Sequence, residues 1–197
     1  MKRRPVVFAF LLTLIFPALA SAAGWDIDPA HSRAGFKVRH LGISNVNGTF
    51  TKVSGVVNLD ESDITKSTVE AVIDATSIDT GEPKRDEHLK SPDFFDVAKF
   101  PTLTFKSKKV EKAGEGKLKV TGDLTIRDVT KEVVLDVTGP LAPVSAFGGF
   151  KSGATATTTI NRLDYGVAWS KVMEGGGLVV GNDVTITIEL ELNKKKS

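Results

Sequence analysis

Residues Lys117 to Ile126 read KLKVTGDLTI, and they alternate without a break. Leu118, Val120, Gly122, Leu124 and Ile126 fall on one side, with Lys117, Lys119, Thr121, Asp123 and Thr125 on the other. In a strand, successive side chains point to opposite faces, so this order makes one apolar and one wet surface. The period returns near the C-terminus, where Val184, Ile186, Ile188, Leu190 and Leu192 alternate with Thr185, Thr187, Glu189 and Glu191. Val69, Ala71, Ile73 and Ala75 repeat it, blurred by Val72 and Ile78. Extended along the chain, this reading predicts eight strands at 33–40, 47–59, 67–77, 102–111, 116–127, 131–140, 152–162 and 182–192.

Most connections are short and carry turn residues, such as KAGEG from Lys112 to Gly116. Two are long. Residues 163–181 end in Glu174-Gly-Gly-Gly177, a flexible stretch before the last strand, and Ser77 to Phe105 reads SIDTGEPKRDEHLKSPDFFDVAKFPTLTF. In the latter, Pro83 opens a short helix with Asp86 and Glu87 early, and Phe94-Phe95 follow in a segment unable to bury them alone. Those rings dock on something apolar, either as a plug sealing one end of a barrel or as a lid over a cavity.

The expected fold is therefore all-β: an eight-stranded antiparallel barrel with a short helical segment in the 83–97 connection. A two-sheet sandwich is the alternative that alternation leaves open. Eleven-residue strands, tilted by about 40°, give a barrel roughly 28 Å tall. Ala34, Ala71, Ala75, Gly122, Ala154 and Ala156 on inward positions leave room along its axis.

The first 22 residues read as a cleaved signal peptide. Lys2, Arg3 and Arg4 precede an apolar run from Val6 to Leu19, and Ala20-Ser21-Ala22 makes a small-residue cleavage site. Residues 23–197 are expected as one domain in the periplasm. Without the three basic residues of the leader, 26 Lys+Arg become 23 against 24 Asp+Glu, so no basic excess points to nucleic acid. Lys194-Lys195-Lys196 offer transient contact with anionic lipid or stand as a solvated tail. With no cysteine, neither disulfides nor thiolate chemistry are available, and stability rests on the core.

Eight elements in order carry a resemblance. They are DPAHS from Asp28, FKVRH from Phe36, VNGTF from Val46, SIDTG from Ser77, RDEHL from Arg85, DFFD from Asp93, GDLTI from Gly122 and INR from Ile160. Together, across residues 25–192, they resemble the YceI family. The resemblance implies an extended, lipocalin-like barrel whose interior binds a long apolar molecule, a polyisoprenoid in some members and fatty amides or related lipids in others. It also implies a periplasmic or secreted protein, a homodimer, and no enzymatic activity. Arg127-Asp128 departs from the Gly found there in many relatives, which bears on the hairpin turn.

The inward apolar set supplies the physics. The candidates for lining a cavity are Phe36, Val38, Phe50, Val57, Ile73, Phe94, Phe95, Phe105, Leu124, Ile126, Leu135, Ile160 and Trp169, each of which is also a candidate for filled core. Burial is worth about 0.8 kcal/mol per methylene, so a twenty-carbon tail offers roughly 16 kcal/mol gross before its lost freedom is subtracted.

A polar set, His31, His40, Arg85, Asp86, His88 and Arg162, is assigned to one barrel end. Arg85, Asp86 and His88 read as a hydrogen-bond cluster. An inward Arg162 needs a partner: Asp164, Asp96 or a lipid head group. The three histidines lack the paired spacing of a zinc site, and no metal or cofactor is expected. Ser32, His40 and Asp86 can be arranged on paper as a hydrolase triad, but no nucleophile elbow surrounds Ser32. Three functions follow: a carrier for a polyisoprenoid, isoprenoid quinone or fatty acyl chain; an enzyme acting on such a lipid; or an accessory protein to a membrane b-type cytochrome.

Overall fold

Residues 23–196 are described in a computed structural model; the expected leader lies outside them. The strands are β1 (Ala23–Ile27), β2 (Arg33–His40), β3 (Ser44–Phe50), β4 (Val53–Leu59), β5 (Thr68–Asp74) and β6 (Ile78–Asp79). After helix α1 (Pro83–Lys90) come β7 (Thr102–Gly114), β8 (Lys117–Ile126), β9 (Val129–Thr138), β10 (Val144–Ala146), β11 (Gly149–Asn161) and β12 (Val180–Lys194). Three pairs act as single staves. β1 and β2 both pair with β12, β3 and β4 follow one another along the next position, and β5 and β6 along the third. The result is eight staves in chain order, each antiparallel to the next.

Closure comes from β11 and β12, whose ladder runs from Lys151↔Asn193 to Asn161↔Asp183. The sandwich alternative falls, because this ladder makes the sheet continuous around a ring. The thinnest seam is between β9 and β11, paired only at Asp136–Thr138 with Thr155–Thr157.

The up-and-down order sorts the connections into two ends. At the lower end lie loop 60–67, the tight β7–β8 turn, residues 139–148, and both termini of the barrel. At the upper end lie turn 41–43, both long connections (80–101 and 162–179) and the Arg127-Asp128 turn. Helix α1 forms for local reasons. Pro83 occupies its first turn, the Glu82 carboxylate accepts from the Lys84 N–H, and Ser91 N–H closes on His88 O.

The predicted strands all exist, with shifted ends. The predicted 47–59 is broken at residues 51–52 into β3 and β4, and three short strands were missed: β6, β10, and β1 with Trp25 at 1% exposure. Trp25 pairs with Val57 across β4, and Ile27 with Leu192 across β12, so both point inward at the lower end. Alternation in Trp25-Asp26-Ile27 was the available signal, too short to stand out. Gly122 is corrected as a source of space. A Cβ there would lie 2.5 Å from the Phe105 ring, so the ring fills what the missing side chain leaves.

Candidate functional site: an apolar cavity under an aromatic cover

The inward faces of the staves enclose a cavity of about 400 Å³, within the size range of small-molecule sites. All thirteen apolar candidates border it. They reach it because the residues directly opposite on neighbouring strands share a face: Phe105 opposes Ala71 and Leu124, and Ile160 opposes Val184. Ala34, Ala71, Ala154 and Ala156 border it too, and supply free volume.

The upper end is covered from two sides. Phe95 leaves the segment after α1 to meet Phe50 edge-on at 5.4 Å, and Phe50 in turn lies 5.9 Å from Phe36. Phe94 and Trp169 lie 5.4 Å apart, with the His88 ring edge-on to both at 5.0 and 5.3 Å. Both long connections therefore meet in one aromatic cluster, worth about 0.5–1.5 kcal/mol per ring pair beyond burial. Arg127 ties them again. In a left-handed conformation (φ 58), it donates through Nη1 to Gly166 O at 2.7 Å and lies over the Phe100 ring. The arginine at that turn thus brings a side chain that pins the cover.

The polar set divides. His40, Arg85, His88 and Arg162 border the cavity at its upper end, whereas Asp86 does not. Arg85 and Asp86 converge on Thr80: Arg85 donates to its hydroxyl and carbonyl oxygens, both at 2.8 Å, and Asp86 accepts from its N–H and hydroxyl. His88 leaves that pair and faces Asp93 at 2.9 Å. The expected single cluster is two.

His31 is at the other end. It precedes β2, which carries His40 at its far terminus, and its Nδ1 lies 3.2 Å from Asp28 and 3.7 Å from Glu191. These three residues could approach one cation, but Lys151 Nζ already contacts both carboxylates and Asn193. The Asp28 carboxyl is held far below the usual range, first by the Asn193 amide, then by His31, the Ala30 N–H and Lys151, against desolvation. The triad reading falls on the same geometry. Ser32 is buried, bonded to the backbone of Glu191, and the length of β2 separates it from His40.

Arg162 is 5% exposed and pairs with neither Asp164 nor Asp96. Its guanidinium donates to four backbone carbonyls instead: Gly181 at 2.9 Å, Val167 at 2.6 Å, Trp169 at 2.8 Å and Val180 at 3.3 Å. The 163–181 connection is therefore fastened at several points. Three residues on, in the same 3₁₀ turn, the buried Tyr165 hydroxyl has no hydrogen-bond partner. Burial, helped by the Asp164 charge, pushes this phenol up to about 12. Sequence reading missed Tyr165; it follows Arg162 with no periodic signal.

A closed up-and-down barrel around an apolar cavity defines a class: binding proteins that enclose a small hydrophobic molecule. The family is more specific. Residues 25–192 match the YceI-like domain, and the chain belongs to that family. It is 35% identical over 198 residues to a UPF0312 protein of Vibrio parahaemolyticus, covering 100% of both chains. The crystal structure of Burkholderia cenocepacia BcnA is similar at a TM-score of 0.72 and 25% identity, over 84% of this chain and 98% of that one. A polyisoprenoid binding domain from Saccharophagus degradans shares the fold at a TM-score of 0.64 and 18% identity, covering 88% of this chain and 99% of its own.

Proposed function

We propose that this protein is a periplasmic lipid carrier that holds a long apolar chain, a polyisoprenoid, isoprenoid quinone or fatty acyl derivative, along the barrel axis. One observation carries the reading: the barrel encloses a continuous apolar cavity bordered by all eight staves, with aromatic residues at its covered end. The polyisoprenoid-binding domain of the same fold supports the ligand class. The leader-like residues 1–22 support export. Binding rather than catalysis is favoured because Ser32, His40 and Asp86 lie apart. Ile43, Val172 and Leu163, exposed apolar residues in the upper connections, would touch the membrane during exchange.

The test is expression of the full chain in a Gram-negative host, recovery from the periplasmic fraction, solvent extraction and mass spectrometry. A stoichiometric isoprenoid or acyl lipid on a protein beginning at residue 23 is expected. A stable, lipid-free protein, or one retained in the cytoplasm at full length, would overturn the corresponding half of the reading.

A further inference from the structure

The stretch between Asp136 and Lys151 reads VTGPLAPVSAFGGF and carries no charge, in a chain of which 25% is charged. Its second half opens the β10–β11 hairpin at the lower rim, whose strand β10 pairs with β11 alone among the described strands. Ala146 opposes Gly149, and Phe147-Gly148 make the turn with both residues at positive φ, 51° and 75°. A two-residue turn of that kind favours Asn-Gly, because left-handed backbone strains a bulky side chain. Phe147 stands there instead, 99% exposed, so no packing offsets the strain. Neither local conformation nor the core accounts for an aromatic ring at this apex.

Three more exposed apolar residues accompany it: Leu141, Val144 and Phe150. They do not share a face. Val144 lies opposite Lys151 and Phe150 opposite Ser145, so their side chains leave the hairpin on opposite sides. A folded partner, or a second copy, covers one face of such a hairpin and leaves the other wet. A bilayer surrounds it. The position agrees. The ladder Asp26↔Asn193↔Lys151↔Val144 sets β1, β12, β11 and β10 side by side, so the chain entering at Ala23 and the terminal Lys194-Lys195-Lys196 lie at the same rim. The apolar run Val6–Leu19 is joined to that end, and a leader held in a bilayer would present the hairpin to it. Lys117, opposite Thr138, stands on the other flank. Neither Lys117 nor Lys196 pairs with a carboxylate among the described residues, and both are available to anionic head groups, tempered by Glu115 in the adjoining turn.

We propose that the β10–β11 hairpin is a membrane-docking element, with Phe147 inserted at its apex and Leu141, Val144 and Phe150 at the boundary between head groups and acyl chains. The lysines on its flanks contact anionic head groups. Docked in this way, the barrel stands on the bilayer by its lower end with the aromatic cover facing away, so the molecule has an apolar surface at each end. Docking does not depend on what the cavity holds.

The test is flotation of the mature protein, residues 23–197, with vesicles of phosphatidylethanolamine and phosphatidylglycerol. The wild type should float with them, and several-fold more weakly with phosphatidylcholine alone. Phe147→Asn gives the turn the residue it favours, so the variant should be at least as stable as the wild type in thermal denaturation. Its partition into vesicles should nevertheless fall about tenfold or more. Because the chain has no cysteine, Phe147→Cys accepts a single nitrobenzoxadiazole dye in place of the ring. That dye should brighten when vesicles are added, and the same dye on Lys131→Cys, exposed on the barrel side, should not. Absence of flotation, binding undiminished in Phe147→Asn, or equal brightening at both positions would overturn the proposal. So would a dimer that Phe147→Asn dissociates while neither protein binds vesicles, which would assign the hairpin to a second copy. Equal binding to both vesicle compositions would remove the lysines from the docking surface.

Discussion

The two ends of this barrel hold their most buried cations differently. At the lower end the cations beside the barrel termini meet carboxylates: Lys151 with Asp28 and Glu191, Lys194 with Glu61, Lys195 with Asp26. These groups lie on strands or beside them, outside a core closed by Trp25, Ile27 and Leu192. At the upper end the cover is made of connections, and the most buried cation, Arg162, meets only carbonyl oxygens. One end is closed largely by strand residues whose flanking charges are paired. The other is assembled from loops around a charge that the protein leaves without a counter-ion.

The difference implies that mutations at the lower end act on stability and those at the upper end on retention of ligand. The largest expected effect is at Trp25. Trp25→Ala should destabilise by about 3–5 kcal/mol in chemical denaturation, while Trp169→Ala, half-buried, should cost about 1–2 kcal/mol and speed release of a bound neutral probe. A larger stability loss at Trp169 would break the comparison.

Filling the cavity separates packing from binding. Ala156 is 7% exposed and borders the cavity midway along β11. Ala156→Trp should weaken binding of geranylgeraniol by about tenfold or more, an effect of about 1.4 kcal/mol, with little change in thermal midpoint, because the indole occupies vacant space. Unchanged affinity would mean that the chain does not run past β11.

The acid limb of stability should report the lower end. The Asp28 carboxyl has a folded pKa below its unfolded value, so the stability it contributes is complete above the unfolded value near 4. It is lost as pH falls from there toward the folded value. Asp60, Asp63 and Asp74 are lowered as well and act with the same sign. Asp28→Asn should therefore flatten stability between about pH 4 and pH 2, measured by urea denaturation across that window; an unaltered slope would remove Asp28 from the lower network. The smallest effect is at Tyr165. Removing a buried hydroxyl that has no partner should leave the ligand-free protein as stable or up to about 1 kcal/mol more so, read from the same denaturation curves. A loss instead would mean that the hydroxyl has a partner after all.

Much of the wall is legible in the sequence. KLKVTGDLTI and VTITIELEL (Val184–Leu192) state their inward faces, and those faces border the cavity. Strand β1 was not legible, since five residues give too few repeats to distinguish alternation from chance. Nor was the partner of Arg162. Its strand parity pointed it inward, but the acids expected to meet it, Asp164 beside it in sequence and the distant Asp96, proved irrelevant beside carbonyls that fold back from positions 167 to 181. The grouping of His31 with His40 failed although the predicted strand 33–40 already stands between them, and its length sets the two histidines at opposite ends of β2.

The sequence by itself determined most of the strands and their apolar faces, because a period of two fixes the side of a sheet on which each residue falls; closure into a barrel rather than a sandwich came with the β11–β12 ladder. Tertiary structure alone decided which end of the barrel each loop covers, which polar groups meet there and which are left without partners. Those outcomes depend on height along the barrel axis and on where long connections dock, and alternation carries no information about either.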